Sequence, residues 1–487
     1  MAAYPRKTEA TGLLGWVDER FPVVQTWKDH MSEYYAPKNF NVWYYFGVLA
    51  MLVLVIQIVS GIFLTMHYKP DTALAFPSIE YIRRDVPGGW FIQYMHSTGA
   101  SAFFIVIYFH MFRGIMYGSY KGKRELVWLI GMALYLALMA EAFMGYLLPW
   151  GQMSFWGAQV IINLFNTIPV IGEDLSLFIR GDFVISDPTL NRLFAFHVAA
   201  VPLILVALVF VHIVALHTVG SNNPDGIEIK ALKNEKGIPL DGVPFHPYYT
   251  VHDIPAIVVF LMAFFAVIFF MPEVGGYFLE HANFEPANPL KTPEHIAPVW
   301  YFTPFYTVLR AVTLSPFMGT LAMFGAIIML FVLPWLDRNP IKSWRYRNTA
   351  HMLNLAIFAA VFMILGYLGV KAVTPEYKEM GVRMTEIYFL FFAVIFIHSK
   401  TSLSRYVIGL MVLATVIVGI DVWRLAAEDP ETKETVLWLL ISQDPIMAKQ
   451  IMWQWVWPAG YLAVTLVLPM IMKGCNAEKA VPERVAS

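Results

Sequence analysis

Long apolar stretches separated by polar segments constrain the fold of this 487-residue chain more than any other feature. A helix needs about 20 apolar residues to cross the hydrocarbon core of a bilayer. The chain is 58% hydrophobic and 14% charged, whereas a typical soluble domain is about 25% charged. The pattern predicts an all-α polytopic membrane protein with about ten spans. The apolar stretches lie near residues 43–66, 91–117, 126–148, 193–217, 253–271, 317–336, 349–370, 384–398, 405–423 and 453–472.

The distribution of lysine and arginine predicts the orientation of these spans. An even number of spans places both termini on one side, and the loops on that side carry more Lys and Arg than the opposite loops. By the positive-inside rule, that side is the cytoplasm. Residues 1–40 lack the short apolar core of a signal peptide, so the first span is expected to be retained. The net charge of −1 gives no support to a nucleic-acid partner.

Two loops on the opposite, outer side are unusually long. They cover about 149–192 and 272–316, and they contain Pro and Gly together with aromatic residues such as Trp156 and Trp300. A solvated linker would not have this composition. We expect short helices that pack against the membrane face and cover a site.

Four histidines occur at matching intervals in two of the predicted spans. His96 and His110 are fourteen residues apart, and His197 and His212 are fifteen residues apart. In an α-helix these intervals amount to about 21 and 22 Å and leave each pair roughly on one face. Because both helices start on the outer side, His96 is predicted to face His197, and His110 to face His212. Two facing imidazoles can ligate a haem iron from both sides, so the pattern predicts two stacked haems.

Glycines repeat the histidine interval on the two neighbouring spans. Gly47 and Gly61 are fourteen residues apart, and so are Gly131 and Gly145. A residue without a side chain lets a flat macrocycle approach the backbone. Small residues also mediate ordinary helix packing, so the glycines support the haem prediction only in combination with the histidines.

Other interpretations of the histidines are weaker. A single intramembrane histidine can be a proton relay or a hydrogen-bonded packing residue. The two histidines of one helix are too far apart to share a zinc ion. The only cysteine, Cys475, lies outside any CxxCH motif, so a haem here would be bound non-covalently.

Three further segments carry a family resemblance. The stretch 145–158 (GYLLPWGQMSFWGA), His217 with 220–224 (GSNNP), and 245–249 (FHPYY) resemble motifs of cytochrome b in the cytochrome bc complexes. The resemblance extends over about residues 13–400 and is greatest to proteobacterial members. It implies a quinol–cytochrome c oxidoreductase of the bacterial inner membrane that runs a Q cycle.

The resemblance also implies cofactors and partners. Two b-type haems are expected, of low potential on the outer side and high potential on the inner side. A Rieske iron–sulfur subunit, a c-type cytochrome, ubiquinol, lipid and a second copy of the complex are the expected partners. An alternative is a dihaem membrane anchor of another quinone-linked dehydrogenase, against which the two aromatic outer loops argue. A haemless transporter would have more charged residues inside its spans.

Site residues follow from the matched motifs. For the outer, quinol-oxidising site the resemblance implies Phe143, Tyr146, Gly157, Pro298, Trp300 and Tyr301. For the inner, quinone-reducing site it implies His217, Ser221, Asn223, His252 and Asp253. Haem-propionate or haem-adjacent roles are implied for Arg113, Ser119 and Arg192.

The chain departs from the family pattern at three positions. Val299 stands where many members have a glutamate that is regarded as a proton acceptor from quinol, and valine cannot accept a proton. Glu294 and His295 are the nearest titratable candidates, and we hypothesise Glu294. Gln93 stands where many members have a haem-directed arginine, which predicts a lower potential for the outer haem. His252 stands where members often have lysine.

The C-terminal part predicts an addition to the eight helices usual in the family. Two further apolar runs follow the eighth helix and form a predicted extra hairpin. We therefore divide the chain into a cytoplasmic amphipathic segment, a dihaem four-helix core, a group of later helices with the outer quinol-site loop, and the hairpin with a cytoplasmic tail. These units are 1–42, 43–220, 221–400 and 401–487.

Overall fold

Eight long apolar helices dominate the computed structural model, which describes residues 10–312, 315–399, 409, 411–413, 415–419, 455–472 and 477–485. This matches the all-α polytopic prediction and its eight family-like spans. The helices are α1 (Val42–Thr65), α2 (Gly89–Met116), α3 (Glu125–Leu147), α4 (Asp187–Val219), α5 (Phe245–Phe270), α6 (Pro316–Leu336), α7 (Thr349–Gly369) and α8 (Pro375–His398).

Three spans, α4, α5 and α8, begin earlier than their apolar runs predicted. Helix α4 starts at Asp187 after a Ser186 capping box, and α8 starts at Pro375 after Thr374 accepts from the Tyr377 N–H. A capped helix extends past its apolar stretch because the first backbone N–H groups are already satisfied. The polar first turns of these helices therefore lie at the edge of the membrane rather than in loops.

Short helices fill the segments between the spans, as expected for the long outer loops. They are Gly12–Asp18, Val23–Trp27, Lys28–Ser32, Ala75–Arg84, Gln152–Asn166, Gly172–Arg180, Ile229–Ala231, Val274–Gly276, His281–Phe284, Trp300–Phe302 and Thr303–Ala311. Two strands, β1 (Tyr35–Pro37) and β2 (Gly242–Pro244), pair antiparallel with Ala36 opposite Val243. This pairing ties the segment before α1 to the start of α5.

The core lies between two groups of helices. In one group, α1 packs on α2 and α3 packs on α4, so that the four form a bundle. In the other, α6, α7 and α8 surround the Thr303–Ala311 helix. Aromatic residues such as Phe104, Tyr135 and Phe391 are fully buried. The four-helix bundle is the part of the fold that carries the paired histidines.

Of the predicted C-terminal hairpin, the structure describes mainly the second helix. An apolar helix covers Val456–Ile471, where the last apolar run predicted one. The Tyr461 hydroxyl donates to the Asn354 side chain, and the His398 ring nitrogen lies 3.0 Å from the Thr465 carbonyl. This helix therefore docks on α7 and α8 of its own chain. The predicted run 405–423 and the segment 424–452 lie mostly or wholly outside the described residues.

Candidate functional site

The four intramembrane histidines face one another in the pairs that the topology predicted. The ring centroids of His96 and His197 are 6.1 Å apart with planes at 89°, and those of His110 and His212 are 6.5 Å apart with planes at 60°. Helices α2 and α4 thus present two imidazole pairs at two depths. The structure contains no ligand group of three or more His, Cys, Asp or Glu side chains suited to a metal ion among its described residues.

Two glycines of α1 lie against the histidines of α2. A Cβ atom at Gly61 would lie 3.3 Å from Cε1 of His96, and one at Gly47 would lie 3.5 Å from Cε1 of His110. A methyl group at Gly61 would therefore press on the His96 ring, whereas one at Gly47 would be in ordinary van der Waals contact with the His110 ring. The glycines of α1 therefore leave open the space on one side of both histidine pairs.

The glycines of α3 do the same for the histidines of α4, and more tightly. A Cβ atom at Gly145 would lie 2.5 Å from Cε1 of His197, a distance at which the ring must move. At Gly131 the corresponding distance to His212 is 3.2 Å. Each of the four glycines is thus matched to one of the four histidines, which the sequence interval alone had only suggested.

Hydrogen bonds orient the outer imidazoles. Nδ1 of His96 lies 2.9 Å from the Ser60 hydroxyl oxygen, and Nδ1 of His197 lies 3.0 Å from Oε1 of Glu141. A ring whose Nδ1 is engaged keeps Nε2 free as the ligand atom, which is the arrangement that metal-binding histidines use. Glu141, the one acidic residue of the α3 interior, thus has a partner.

The inner pair has a cation beside it. Arg113 lies 3.3 Å from Nδ1 of His110, and it donates to the Ser119 hydroxyl at 3.4 Å. The guanidinium also stacks over the Tyr44 ring at 4.8 Å. Arg113 and Ser119 are therefore brought together next to an inner histidine, in the place where they would meet an anionic group bound between His110 and His212.

At the inner end of α4, His217 is surrounded by residues of the N-terminal segment. Tyr34 stacks on the His217 ring at 4.1 Å, and its hydroxyl lies 2.9 Å from the hydroxyl of Ser221. Nδ1 of His30 lies 2.7 Å from Nδ1 of His217. His217 and Ser221 are thus brought together, as predicted, but by two residues that sequence reasoning did not include.

The other predicted inner residues have local roles in the structure. His252 stacks on Tyr248 at 4.6 Å, and Asp253 follows it in the N-terminal half of α5. The amide of Asn223 is buried and closes its own loop, donating to the Ile227 carbonyl at 2.6 Å. For Asn223 a direct quinone contact stays a prediction.

At the outer end of α3, a carboxylic acid from the long loop meets a tyrosine. The Tyr146 hydroxyl donates to Oε2 of Glu280 at 2.7 Å. Burial raises the pKa of Glu280 to about 7, although the Tyr146 hydrogen bond opposes the rise. A Cβ atom at Gly157 would lie 3.7 Å from the Tyr146 ring. Three elements of the outer side thus converge on Tyr146, with Phe143 one turn earlier on the same helix.

The turn at 298–301 is anchored to α2. The Trp300 ring donates to the Ser101 hydroxyl at 3.0 Å, and the Tyr301 ring stacks on Phe104 at 4.0 Å. The Tyr108 hydroxyl donates to the Tyr301 carbonyl. These contacts fix the aromatic residues of the turn against the part of α2 that lies between His96 and His110, with Val299 buried beside them.

Comparison with known proteins gives the family of the chain. The family model for cytochrome b/b6/petB matches residues 31–220, and that for the C-terminal part of cytochrome b/b6/petD matches residues 286–389. Cytochrome b of Allochromatium vinosum is 58% identical over 406 residues, covering 82% of this chain and 97% of that protein. Cytochrome b of Rhodospirillum rubrum is 49% identical, with 78% and 91% covered.

The chain belongs to the cytochrome b family. A solved chain from a hyperthermophilic respiratory Complex III superposes with a TM-score of 0.73 at 39% identity, covering 79% of this cytochrome b and 98% of that chain. This cytochrome b is an electron-transferring membrane subunit and a component of a multisubunit assembly, as the resemblance implied. The predicted dihaem bundle falls within the first matched region.

Several predicted site residues of this cytochrome b lie elsewhere than expected. Glu294 is exposed, and His295 is exposed with a ring nitrogen 3.1 Å from the Val370 carbonyl. The Arg192 guanidinium donates to the Phe178 carbonyl at 2.8 Å and lies against Gly181. The structure thus leaves Glu294 exposed, and the guanidinium of Arg192, near the start of α4, contacts the preceding outer segment at Phe178.

Glu280 is the residue of the outer site that sequence reasoning missed. It lies in a loop without periodic structure, 134 residues after Tyr146 in sequence, so no spacing connects the two. The available signal was weak, since Glu280 is one of four glutamates in the aromatic loop on the same side as Tyr146. Because Val299 offers no acceptor, the buried carboxyl of Glu280 is the titratable group that the structure brings to this site.

Proposed function

We propose that this cytochrome b oxidises quinol at the outer site, passes one electron of each quinol across the membrane through two b-type haems, and reduces quinone at the inner site. The observation that carries the proposal is the match of four glycines with four paired histidines. At each imidazole the backbone of a neighbouring helix comes close to the ring, and the missing side chain leaves the ring free to stay in its position. Helix packing alone would not require the glycines to lie against the histidine rings.

Each haem, bound between two imidazoles, would supply a one-electron iron couple. His96 and His197 would hold the outer haem, and His110 and His212 the inner haem. Gly47, Gly61, Gly131 and Gly145 would admit the macrocycles. Arg113 and Ser119 would neutralise and bind an inner propionate, since a guanidinium pairs well with a carboxylate.

At the outer site, Glu280 is proposed as the proton acceptor. Quinol must lose two protons and two electrons to become quinone. In its ionised form the Glu280 carboxylate takes one hydroxyl proton, so that the quinol O–H bond breaks and a carboxyl O–H bond forms. The Tyr146 hydroxyl holds the carboxylate in place. Gly157 leaves room for the ring beside Tyr146, and Pro298, Trp300 and Tyr301 form the opposite wall.

At the inner site, quinone gains two electrons and two protons. His217 and Asp253 are proposed as the groups that donate the protons, with Ser221, Asn223 and His252 as further lining residues. An imidazole can give up a proton from one ring nitrogen and take one at the other, which suits a donor that must be reloaded on every turnover. Moving one electron charge between the sites against 100 mV costs about 2.3 kcal/mol, so separating the sites across the membrane stores energy.

The multisubunit context supports partners for this chain. We propose a Rieske iron–sulfur subunit that takes the first electron, a c-type cytochrome that takes it next, ubiquinone as substrate, bound lipid and a dimeric complex. We also propose a bacterial inner membrane with both termini on the cytoplasmic side, in line with the lysine and arginine distribution.

A reduced-minus-oxidised visible spectrum of the purified chain tests the haem arrangement. Two b-type haems per chain are expected. His212→Ala is expected to remove the inner haem alone, and His197→Ala the outer haem alone. His67→Ala, at an exposed position outside the bundle, is the matched control and is expected to retain both. A spectrum without haem, or with a single haem in the unaltered chain, would contradict the proposal.

A further inference from the structure

His30 lies directly against His217 at the inner end of α4. The two Nδ1 atoms are 2.7 Å apart, and the ring centroids are 5.0 Å apart. Since one nitrogen must donate and the other accept, the two imidazoles share one proton in a hydrogen bond. His30 precedes the first residue of the region matched to the family, which begins at residue 31.

The surrounding segment holds His30 in this position. Tyr34 stacks on His217 and bonds with Ser221, while the Tyr34 carbonyl accepts from the Phe245 N–H at 2.8 Å. Immediately afterwards, β1 pairs with β2. The segment is thus fastened on the C-terminal side of His30 to two helix ends, and its contact with His217 is part of a built structure.

A second contact holds the segment on the N-terminal side of His30. The Trp27 ring meets the His246 ring edge-on at 5.2 Å, at the start of α5. His30 itself is partly exposed, as is His217. An imidazole that touches both a site residue and the aqueous face can exchange protons with water and pass them inward.

We propose that His30 is a relay residue that carries protons from cytoplasmic water to His217 during quinone reduction. The inference rests on the proposed inner quinone-reducing site. His30 acts through His217 and need not touch the quinone. His30 gives His217 a direct route by which it regains a proton after each transfer to the quinone.

The proton balance of the step is simple. The Nε2–H bond of His217 breaks as an O–H bond forms on a carbonyl oxygen of the quinone, which has received its electrons from the haem pathway. In the same step the proton on Nδ1 of a protonated His30 moves to Nδ1 of His217, so His217 never becomes an imidazolate. Both imidazoles end neutral, with the proton of His217 on Nδ1. Before the next turnover His217 returns to its Nε2–H tautomer by proton exchange, and His30 takes a new proton from water.

Other charged and titratable groups surround the pair. Lys230, from the loop after α4, donates to the Thr218 carbonyl at 3.4 Å and brings positive charge close to His217. Tyr34 lies on the same segment as His30, and His246 on α5 faces it through Trp27. A cation near the pair disfavours two protonated imidazoles, so only one extra proton is expected on it at a time.

The test isolates the inner site in the intact complex. With the outer site blocked by an inhibitor, a short-chain ubiquinol is added and the rate of haem reduction through the inner site is followed spectroscopically across pH. His30→Ala is expected to slow this reaction about tenfold and to flatten its pH profile, as loss of an acid–base group does. Added imidazole is expected to restore the rate in His30→Ala by occupying the vacated space.

Two further variants give the controls. His30→Gln keeps a hydrogen-bonding side chain but cannot be protonated near neutral pH, so it is expected to be slow and insensitive to imidazole. Gln25→Ala, on the same segment, removes only a surface hydrogen bond to Asp29 and is expected to behave like the unaltered chain. If His30→Gln matches the unaltered chain, or if imidazole fails to restore His30→Ala, the relay is overturned.

His217→Ala separates this inference from the proposed function. If His217→Ala abolishes the inner-site reaction while His30→Ala and His30→Gln leave it unchanged, only the relay fails. If His217→Ala leaves the inner-site reaction unchanged, the inner site itself is misplaced, and the relay fails with it.

Discussion

The Tyr146 hydroxyl donates to the Glu280 carboxylate across 2.7 Å, joining the outer end of α3 to the long loop before α6. Glu280 is the group whose charge changes near neutral pH, because burial raises its pKa to about 7. The Tyr146 side chain fixes where that charge appears. The pair therefore combines a titratable acceptor with a residue that orients it, which is what proton abstraction from a quinol requires.

Glu280→Gln is expected to slow quinol oxidation at the outer site by about 100-fold, as removal of a general base commonly does. In the unaltered chain the rate is expected to rise from about pH 6 to about pH 8, since only the ionised carboxylate can accept a proton. That rise is expected to disappear in Glu280→Gln. Steady-state reduction of a c-type cytochrome by quinol, measured across pH, checks both expectations.

Glu294→Gln is the matched control for this prediction. Glu294 is exposed, so its loss is expected to leave both the rate and the pH profile unchanged. If Glu294→Gln removed the pH dependence while Glu280→Gln kept it, Glu294 would be the proton acceptor and Glu280 would be a structural residue.

Gly145→Ala is expected to remove the outer haem. The added Cβ would lie 2.5 Å from Cε1 of His197, so the imidazole must leave its position opposite His96. Gly47→Ala is the graded comparison, because its Cβ would lie 3.5 Å from His110, an ordinary van der Waals distance. Haem per chain is expected to fall by about half in Gly145→Ala and to stay near the unaltered value in Gly47→Ala. Equal haem content in both variants would speak against histidine displacement.

Gln93→Arg is expected to raise the potential of the outer haem by tens of millivolts, roughly 1 kcal/mol for a one-electron couple. Gln93 is buried one turn before His96, and its carbonyl oxygen has no hydrogen-bond partner among the described residues. A cation at this position would favour the haem with the added electron. A redox titration that gives an unchanged potential for the outer haem would contradict the prediction.

The histidine bundle could be predicted from sequence because helix geometry alone fixes it. Residues fourteen or fifteen apart share a face, so the intervals of His96 and His110 and of their partners on α4 specified both pairs. The glycines followed from the same period. The C-terminal ends of the spans were close to their predicted positions, whereas capping turns moved the starts of α4 and α8 earlier than the apolar runs.

The contacts of Glu280 and His30 could not be predicted, and the reason is physical. Both residues lie in irregular segments, where no period relates sequence distance to space. The segment of His30 is held beside His217 in part by the pairing of β1 with β2, two three-residue strands that propensity does not distinguish from loops. Long-range contacts of this type depend on tertiary packing, which a single sequence does not display.

Asp337 is expected to contribute strongly to stability at the inner side of the membrane. It accepts from Arg347 at 2.9 Å and from Tyr120 at 2.7 Å, and it pairs with Lys121 at 2.8 Å. Although burial alone would raise the pKa of Asp337, the cations of Arg347 and Lys121 hold it well below its ordinary range. These contacts of Asp337 connect the loop after α2 to the segment between α6 and α7.

Asp337→Asn is expected to lower the free energy of unfolding by about 3–5 kcal/mol, because it leaves two buried cations without their counter-ion. A carboxyl with a depressed pKa stabilises the folded state above its unfolded pKa, and that contribution is lost as the pH falls toward the folded value. The difference in the free energy of unfolding between Asp337→Asn and the unaltered chain is therefore expected to reach its full size near neutral pH. It is expected to shrink below about pH 4. Thermal unfolding in detergent at several pH values measures it. Glu80→Gln, which breaks partly exposed pairs with Arg83 and Arg84, is the control and is expected to cost about 1 kcal/mol or less.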